Sequence, residues 1–364
     1  MLFNNMFKTF EKYLIKLFLK KILTISVIFL SLILILSVFE EINFFKELGL
    51  HFSYPFFMTF LNAPVTLFEI FPFTFLISTQ FFFIELIEKN EIGVLKIHGL
   101  DNFKIIKLLS LTSFILGLLL IIFFYNVSAK LKFFYLDIKN NYSNDNKYLA
   151  VVTNNGLWIK DEINEKIYII NAAVIQNNKL KQVTINEFDK NFNLLRLIDS
   201  SEADISSTEW IIIKPKISRN NKTEQLKTNI NLSSHFDIEK INSMFRNLNS
   251  LNIFELFKLN SDYRSLGYST VEIDSHLHKL AAFPLYVAIM TLLSSILMFN
   301  VKRNTSMIFH IIIGILLSVL IYYFYFLSNL IGQSEKIPLY ASIWLPLTLL
   351  VIFISIGLIR INEK

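Results

Sequence analysis

The sequence predicts an α-helical membrane protein with six transmembrane helices, and an extracytoplasmic all-β, jelly-roll-like domain inserted between spans three and four. Three observations predict this fold. Apolar residues make up 53% of the 364-residue chain and concentrate in long blocks toward both ends. Lysine and arginine concentrate in the short loops on one side of these blocks. Between the blocks, residues 130–279 follow short alternating and helical patterns.

Six apolar stretches are long enough to cross a hydrocarbon core, which takes roughly 20 helical residues. They are Ile22–Phe39, about Ala63–Leu86, Leu108–Ala129, Leu280–Val301, Asn304–Ser334 and Ile337–Ile359. The second is the least defined, because Phe52–Ile84 exceeds one upright helix and holds three prolines. We therefore expect an interfacial or tilted lead-in before that span. Glu69, the only charged residue of Phe52–Ile84, is expected near the outer end of the bilayer.

The distribution of basic residues predicts the orientation, because short cytoplasmic loops are rich in lysine and arginine. The N-terminal segment, the loop after span two, the loop between spans four and five, and the C-terminus are the richer ones. All fall on one side when six spans are counted. Both termini are thus predicted to be cytoplasmic and residues 130–279 to lie outside. A cleavable signal peptide is the competing interpretation, but the first apolar run ends in Val-Phe-Glu-Glu, without a small-residue cleavage site.

Residues 130–232 are predicted to form the β domain. Five segments of four to six residues predict strands: Leu157–Lys160, Lys166–Ile170, Val183–Glu187, Asn193–Ile198 and Trp210–Lys214. Turn-forming clusters such as Thr153–Gly156 and Asp199–Ser201 separate them. Several short strands without an intervening helix favour a sandwich or jelly roll. We expect Trp158 and Trp210 to be core anchors of that sheet.

Residues 233–279 are predicted to form a helical connector. Apolar residues recur at helical spacing over Ile238–Leu248, and a second helical stretch covers about Ile253–Leu266. A serine–threonine pair is expected to cap a helix that runs from Val271 into the fourth span. The predicted division of the chain is 1–129, 130–232, 233–279 and 280–364.

Several kinds of chemistry are absent from the sequence. It has no cysteine, which excludes disulfides, cysteine-ligated zinc and thiol nucleophiles. It has no phosphate-binding glycine loop and no H-E-x-x-H or G-x-S-x-G motif, so we expect no nucleotide site, no cofactor and no enzymatic activity. His276 and His278 would face apart on a helix, and we expect solvated side chains rather than metal ligands. The net charge of +6 flanks the apolar stretches, which argues against nucleic acid.

Four segments stand in a characteristic order and spacing: Tyr13–Lys16 before the first span, the segment flanked by Pro64 and Pro72, the loop Glu88–Gly99, and Gly156–Asp161 in the outer domain. Together they resemble the lipopolysaccharide export permeases of the LptF/LptG family. The first three are similar to the opening helix, the second span and the coupling segment of that family, and the fourth looks more like LptG than LptF. The resemblance covers the whole chain.

The resemblance implies a permease subunit of an ABC-type exporter that extracts lipopolysaccharide from the inner membrane. The implied partners are a cytoplasmic LptB-like ATPase dimer, a second six-span LptF-like permease and a single-span periplasmic LptC-like bridge. The loop 87–100 would then be the coupling loop. Its implied coupling residues are Glu88, Glu91, Leu95, His98 and Gly99. On one helix Glu88 and Glu91 would share a face, and Gly99 would end that helix.

Four lysines are candidate contacts for the phosphates of the lipid: Lys46, Lys130, Lys132 and Lys279. Snorkelling of lysine toward the headgroups is the alternative for each. The chain departs from the family in Phe39–Lys46, where basic lipid contacts are expected, because this segment has two acids and one lysine. Three other functions remain open: the LptF-type partner subunit, a membrane enzyme for lipid-linked substrates, and a four-span mechanotransmitting permease.

Overall fold

The computed structural model describes residues 9–46, 51, 53–142, 157–176, 178–219, 222–238, 240–241, 247–265, 268–299 and 307–362. The helices are α1 (Thr9–Phe45), α2 (Ser53–Glu88), α3 (Glu91–Ile97), α4 (Asn102–Leu119), α5 (Asn126–Asn141), α6 (Ile253–Ser265), α7 (Val271–Phe299), α8 (Met307–Gln333) and α9 (Leu339–Asn362). A π-helical segment, Leu120–Tyr125, joins α4 to α5. The chain forms two compact units: Met1–Leu131 with Val271–Lys364, here the membrane unit, and Lys132–Thr270, here the inserted domain.

Among the described residues, six helical segments are long and apolar enough to cross a membrane, three before the inserted domain and three after it. They are α1, α2, the continuous segment Asn102–Asn141, α7, α8 and α9. The predicted fold class is therefore confirmed. Several segments exceed the hydrocarbon core: the 37 residues of α1 extend about 55 Å, against a core of about 30 Å.

Two of the six segments form the centre of the membrane unit. In the most apolar window of each segment, 67% of the α2 residues and 72% of the α7 residues are buried, against 17–28% in the other four. Ser294 of α7 donates to the carbonyl of Leu76 in α2 at 2.8 Å, and the hydroxyls of Ser113 in α4 and Thr291 in α7 are 2.8 Å apart. Hydroxyl contacts of this kind hold transmembrane helices together where the hydrophobic effect is weak.

The structure joins the expected lead-in and the second span into one helix. The helix α2 begins at Ser53 and continues through Pro64 and Pro72 to Glu88. Proline removes one helical N–H and so weakens a helix in water. Within a membrane, packed neighbouring helices and local hydroxyl groups keep such a helix continuous, and α2 is a central, largely buried helix.

Pro346 shows how the membrane unit compensates for a proline. It lies inside α9 and has no N–H, so the carbonyl of Ser342, four residues earlier, lacks its helical donor. The hydroxyl of Ser328 in α8 donates to that carbonyl at 2.7 Å. Because an unsatisfied carbonyl is costly in hydrocarbon, this bond stabilises α9 and fixes it against α8.

Gly117 permits the close approach of α4 to α7. A Cβ atom at this position would lie 2.7 Å from Cα of Pro284 and 2.8 Å from Cγ2 of Val287. We expect Gly117→Ala to lower the stability of the membrane unit by about 1–3 kcal/mol, the usual cost of overpacking, measured by thermal unfolding in detergent. Gly93→Ala is the control, because nothing lies within 4 Å of a Cβ there. Equal unfolding temperatures for the two variants would contradict the assigned contact.

The inserted domain contains one curled antiparallel sheet. Its strands are β1 (Leu157–Ile163), β2 (Lys166–Gln176), β3 (Lys179–Phe188), β4 (Leu194–Asp204), β5 (Glu209–Ile213), β6 (Lys216–Arg219), β7 (Lys222–Gln225) and β8 (Ile230–Ser233). The order is β1-β2-β3-β4-β5-β8, and β6 pairs with β4 and β7. The second edge of β4 is shared, with β6 near its start and β5 near its end. The five predicted strands are confirmed.

The sheet buries one of its faces. Leu157 and Ile159 of β1 are 1% exposed, so Trp158 between them faces outward and is 53% exposed. The prediction of Trp158 as a core anchor is therefore wrong, because alternation along the strand places it on the outer face. Trp210 is fully buried, as predicted, and its Nε1 donates to the carbonyl of Phe236 at 2.6 Å.

Asp161 ties β1 to the segment that follows β8. Its buried carboxylate accepts from the hydroxyl of Ser234 at 2.8 Å and from the backbone N–H of His235 at 2.9 Å. Nδ1 of His235 lies 2.7 Å from the other carboxylate oxygen. A buried carboxylate needs several donors, so these bonds fix the end of the sheet. Asp161 belongs to the Gly156–Asp161 segment that the sequence analysis singled out.

Glu187 makes the most buried ion pairs described in the sheet. Its side chain is 2% exposed, Nζ of Lys166 lies 2.8 Å from it, and Nε of Arg196 also donates to it. Burial alone would raise the pKa of Glu187, but the hydrogen bonds from Lys166 and Arg196 outweigh burial and hold that pKa below its ordinary 4.5. The stability from this pairing is thus present above about pH 4.5 and is lost as pH falls through the lowered pKa.

We therefore expect the inserted domain to become less resistant to urea as pH falls below about 4.5, and Glu187→Gln to flatten that dependence. The measurement is urea unfolding of the full-length protein in detergent, followed by fluorescence of Trp210 with the other two tryptophans replaced by phenylalanine. Glu165→Gln is the control, because its ion pair with Lys190 is exposed and solvent screens it. The same acid dependence in Glu187→Gln as in the parent would contradict the assignment.

Candidate functional site

The loop between the second and third spans folds as a short helix between two breaks. The helix α2 ends at Glu88, and Asn90 has φ 55°, a left-handed conformation that ends the α2 direction. The helix α3 then runs over Glu91–Ile97. Gly99 has φ 83°, and the N–H groups of Gly99 and Leu100 donate to the carbonyls of Lys96 and Leu95. This is a Schellman termination, which favours glycine at the left-handed position.

The break at Asn90 overturns one expectation. Glu88 ends α2 and Glu91 begins α3, so the two acids belong to different helices. They do not share a helical face, because the left-handed residue between them changes the direction of the chain. The prediction of a paired acidic face is wrong. Asp101 follows the loop and accepts from the N–H of Lys104 at 2.7 Å, which begins α4.

The short helix is held against α1 by two contacts. The hydroxyl of Tyr13 donates to Oε2 of Glu91 at 2.7 Å. The ring of Phe10 lies 4.7 Å from the ring of His98, and Nδ1 of that histidine lies 2.8 Å from the carbonyl of Val94. Glu91 and His98 thus position α3 within this chain. Tyr13 belongs to the Tyr13–Lys16 segment, whose place at this site the sequence analysis did not identify.

Glu85, which lies one turn before the end of α2, forms two ion pairs beside the loop. Nζ of Lys21 in α1 lies 2.6 Å from Oε2 of Glu85, and Nζ of Lys89 lies 2.5 Å from Oε1. The hydrogen bond to Glu85 raises the pKa of Lys89, so this lysine stays charged. The same carboxylate therefore links α1, α2 and the start of the loop.

Two apolar side chains of α3 are exposed beside Lys96. Leu95 is 2% exposed and anchors the helix inward, whereas Val94 is 49% and Ile97 is 85% exposed. Glu88 is also exposed. Of the predicted coupling residues, the structure therefore presents Glu88 outward and places Leu95 in the core. Val94 and Ile97 are not among the five predicted coupling residues, but both belong to the predicted coupling loop.

The four candidate lysines have different surroundings. Lys46 follows α1 and is exposed, as is Lys130 in α5. Nζ of Lys132, further along α5, lies 4.6 Å from the centre of the Tyr135 ring. Lys279 in α7 is half-buried.

The two histidines of α7 face apart, as predicted, but the expectation of solvated side chains is wrong. Nε2 of His276 lies 2.9 Å from the hydroxyl of Tyr125, and Nε1 of Trp344 lies 3.4 Å from Nδ1 of His278. The helices packed on either side of α7 supply these partners. Within the described part of the chain, no group of three or more His, Asp or Glu residues could hold a metal ion.

An apolar groove of about 330 Å³ lies in the membrane unit. Residues of α1, α2, α4 and the π-helical segment line it, among them Leu23, Val27, Phe71, Phe75, Leu120 and Phe124. The π-helical turn widens the helix locally and brings Leu120 and Phe124 to the groove. A groove with this lining suits hydrocarbon chains rather than a polar ligand.

The fold and the loop define a class of protein: a six-span membrane protein with a β-rich domain between spans three and four and a short helix between spans two and three. The sequence matches the family described as "Lipopolysaccharide export system permease LptF/LptG" over residues 12–360, nearly its whole length. The chain therefore belongs to the LptF/LptG family, which confirms the resemblance, and it is a lipopolysaccharide export permease. A comparison with curated proteins gives no match.

The hydrogen bond from the Tyr13 hydroxyl to Glu91 can be removed while the aromatic ring of residue 13 is kept. We expect Tyr13→Phe to loosen α3 by about 1 kcal/mol, the usual net value of a hydrogen bond, or about fivefold faster amide exchange. Hydrogen exchange of residues 91–97, read by mass spectrometry on the full-length protein, measures this. Tyr340→Phe, which changes an exposed tyrosine of α9, is the control. Unchanged exchange at 91–97 in Tyr13→Phe would show that this bond does not hold α3.

Proposed function

We propose that this chain is a permease subunit of an ABC-type exporter, powered by a separate cytoplasmic ATPase dimer. It would extract lipopolysaccharide from the inner membrane and pass it to a single-span periplasmic bridge protein. The observation that carries this proposal is the short helix α3, held on α1 by Tyr13 and presenting Val94 and Ile97 outward in a chain of the LptF/LptG family. An ATP-driven permease without a nucleotide site of its own needs such a docking element.

In the proposed coupling site, two apolar side chains would bind the ATPase, and the contacts of α3 with α1 would hold them in position. Ile97 and Val94 would enter a groove on the ATPase, and burial of two such side chains gives most of the affinity. Glu88 would pair with a basic residue at the rim of that groove. Glu91, Leu95, His98 and Gly99 would act by position, because they fix α3 to α1 and end it. A displacement of α3 by the ATPase would then pass directly into α1 and α2.

The lipid would be recognised in two parts. The apolar groove beside α1 and α2 is suited to acyl chains. Lys46, Lys130, Lys132 and Lys279 are the candidate partners for phosphate groups of the lipid.

We also infer an orientation and a subunit type. The lysine distribution supports cytoplasmic termini and a periplasmic inserted domain. The LptG-type subunit is favoured over the LptF-type by the Gly156–Asp161 segment, whose Asp161 fixes β1 in this fold. The second six-span subunit of the exporter would then be LptF-like.

Ile97→Asp tests the coupling role. The change would place an unpaired carboxylate in an apolar groove, which costs several kcal/mol, so we expect loss of co-purification with the ATPase and loss of ATP-driven lipid release. Because Ile97 is 85% exposed, the permease itself should fold and insert normally. Ile97→Leu, which keeps the apolar side chain, is the matched control and should retain both activities. Full recovery of the ATPase with Ile97→Asp would refute the docking site.

A further inference from the structure

The helix α6 of the inserted domain has an exposed aromatic face. Leu256, Leu259 and Asn260 are buried, which fixes the helix on the domain. On the opposite side Phe254 is 83% exposed and Phe257 is 60% exposed. These two residues are three positions apart and therefore share a face. Two phenylalanines so exposed on one short helix indicate a surface that is covered by something other than water.

Two cations lie on this face. The exposed residues of α6 are Phe254, Phe257, Lys258, Ser261, Arg264 and Ser265, and Asp262 is half-buried four positions after Lys258. The first acid of the helix is engaged elsewhere, because Glu255 accepts from the N–H of Asn252 at 2.8 Å while Asn252 accepts from the N–H of Glu255 at 3.0 Å. This capping box starts the helix and removes the carboxylate from the exposed face.

The covalent chain places a limit on how far this face can be from a membrane. The helix α6 ends at Ser265, and the membrane-spanning helix α7 begins at Val271. The intervening residues, fully extended, cover about 20 Å. The last turn of α6, which holds Arg264, is therefore within about 20 Å of the start of α7, whose apolar run begins at Leu280. Helices with an apolar face flanked by lysine and arginine lie in the interface of a bilayer.

We propose that the exposed face of α6 binds the surface of the lipid bilayer. Phe254 and Phe257 insert at the boundary between headgroups and acyl chains, and Lys258 and Arg264 contact the phosphates of anionic headgroups. The inserted domain is then held at the membrane by this helix in addition to its covalent connections. This inference depends on α7 as a span and not on the coupling role of α3 or on the transported lipid.

The absence of cysteine from the chain permits a direct measurement. Ser261→Cys introduces a single cysteine on the exposed face of α6 and keeps both phenylalanines. Ser207→Cys, in an exposed turn between β4 and β5, is the control. Each full-length variant is labelled with a nitroxide and placed in nanodiscs of phosphatidylglycerol and phosphatidylcholine. Electron paramagnetic resonance then compares collisions with oxygen, which concentrates in lipid, and with a water-soluble nickel chelate.

We expect the label at 261 to collide several-fold less with the nickel chelate than the label at 207, and to collide strongly with oxygen. Adding Phe254→Ser and Phe257→Ser to Ser261→Cys should return the nickel collisions to the control level. Replacing phosphatidylglycerol by phosphatidylcholine should have a smaller effect in the same direction, because Lys258 and Arg264 lose their anionic partners.

Two results would overturn the proposal. Nickel collisions at 261 equal to those at 207 would show that the face is in water. Protection from both reagents would show that protein covers it, either a second copy or another subunit. Far-ultraviolet circular dichroism of each labelled variant establishes that the fold is retained before the collisions are compared.

Discussion

The contact between α2 and α7 is the constraint on which the rest of the membrane unit depends. These two helices are the most buried of the six, and the other spans pack around them with one face toward the surroundings. The ring of Phe68 in α2 stacks on that of Phe283 in α7, with 4.5 Å between centres and 16° between planes. Since apolar surface alone gives transmembrane helices little reason to associate, such stacks and hydroxyl bonds decide which helices are neighbours.

This contact lies beside a proline in each helix, where the helical hydrogen bonding is interrupted. Pro72 leaves the carbonyl of Phe68 without its helical donor, and Pro284 directly follows Phe283. The segment around Gly117 of α4 rests on the same proline of α7. Helices bend most easily at proline, so any bend of α2 or α7 would concentrate at this level. The ring stack and the glycine contact are therefore the interactions that such a bend must alter.

The sequence predicted the architecture well because its signals are local. Span length, the lysine distribution and period-two alternation each depend on residues that are close together in the chain. They predicted the six spans and five of the strands. The strands β6–β8 were missed because they are short and largely polar. They form mainly through pairing, β6 with β4, β7 with β6 and β8 with β5. The alternation rule was available for Trp158, but the preference of tryptophan for cores was given more weight.

The site was predicted less well, because its geometry depends on contacts between distant residues. The loop was correctly placed, but Tyr13 lies 78 positions from Glu91, and nothing in either local sequence indicates the bond. Likewise, the left-handed Asn90 reorients Glu88 relative to Glu91, and helical spacing cannot anticipate such a break. The spacing of two residues indicates that they share a face only if both lie in one continuous helix. To predict that Leu95 is buried while Val94 and Ile97 are exposed, one would have to know on which side of α3 the helix α1 lies.

The two proposed surfaces are covalently joined to the two central helices. The helix α3 directly follows α2, and the aromatic helix α6 precedes α7 by a few residues. Tyr13 joins α3 to α1, and the ion pair of Lys21 with Glu85 joins α1 to α2. The helix α2 in turn contacts α7 through the Phe68–Phe283 stack and the bond from Ser294 to Leu76. Under the proposed coupling, a displacement of α3 would therefore have a continuous set of packed contacts to α7, and the prolines of α2 and α7 would determine where along this set the helices bend.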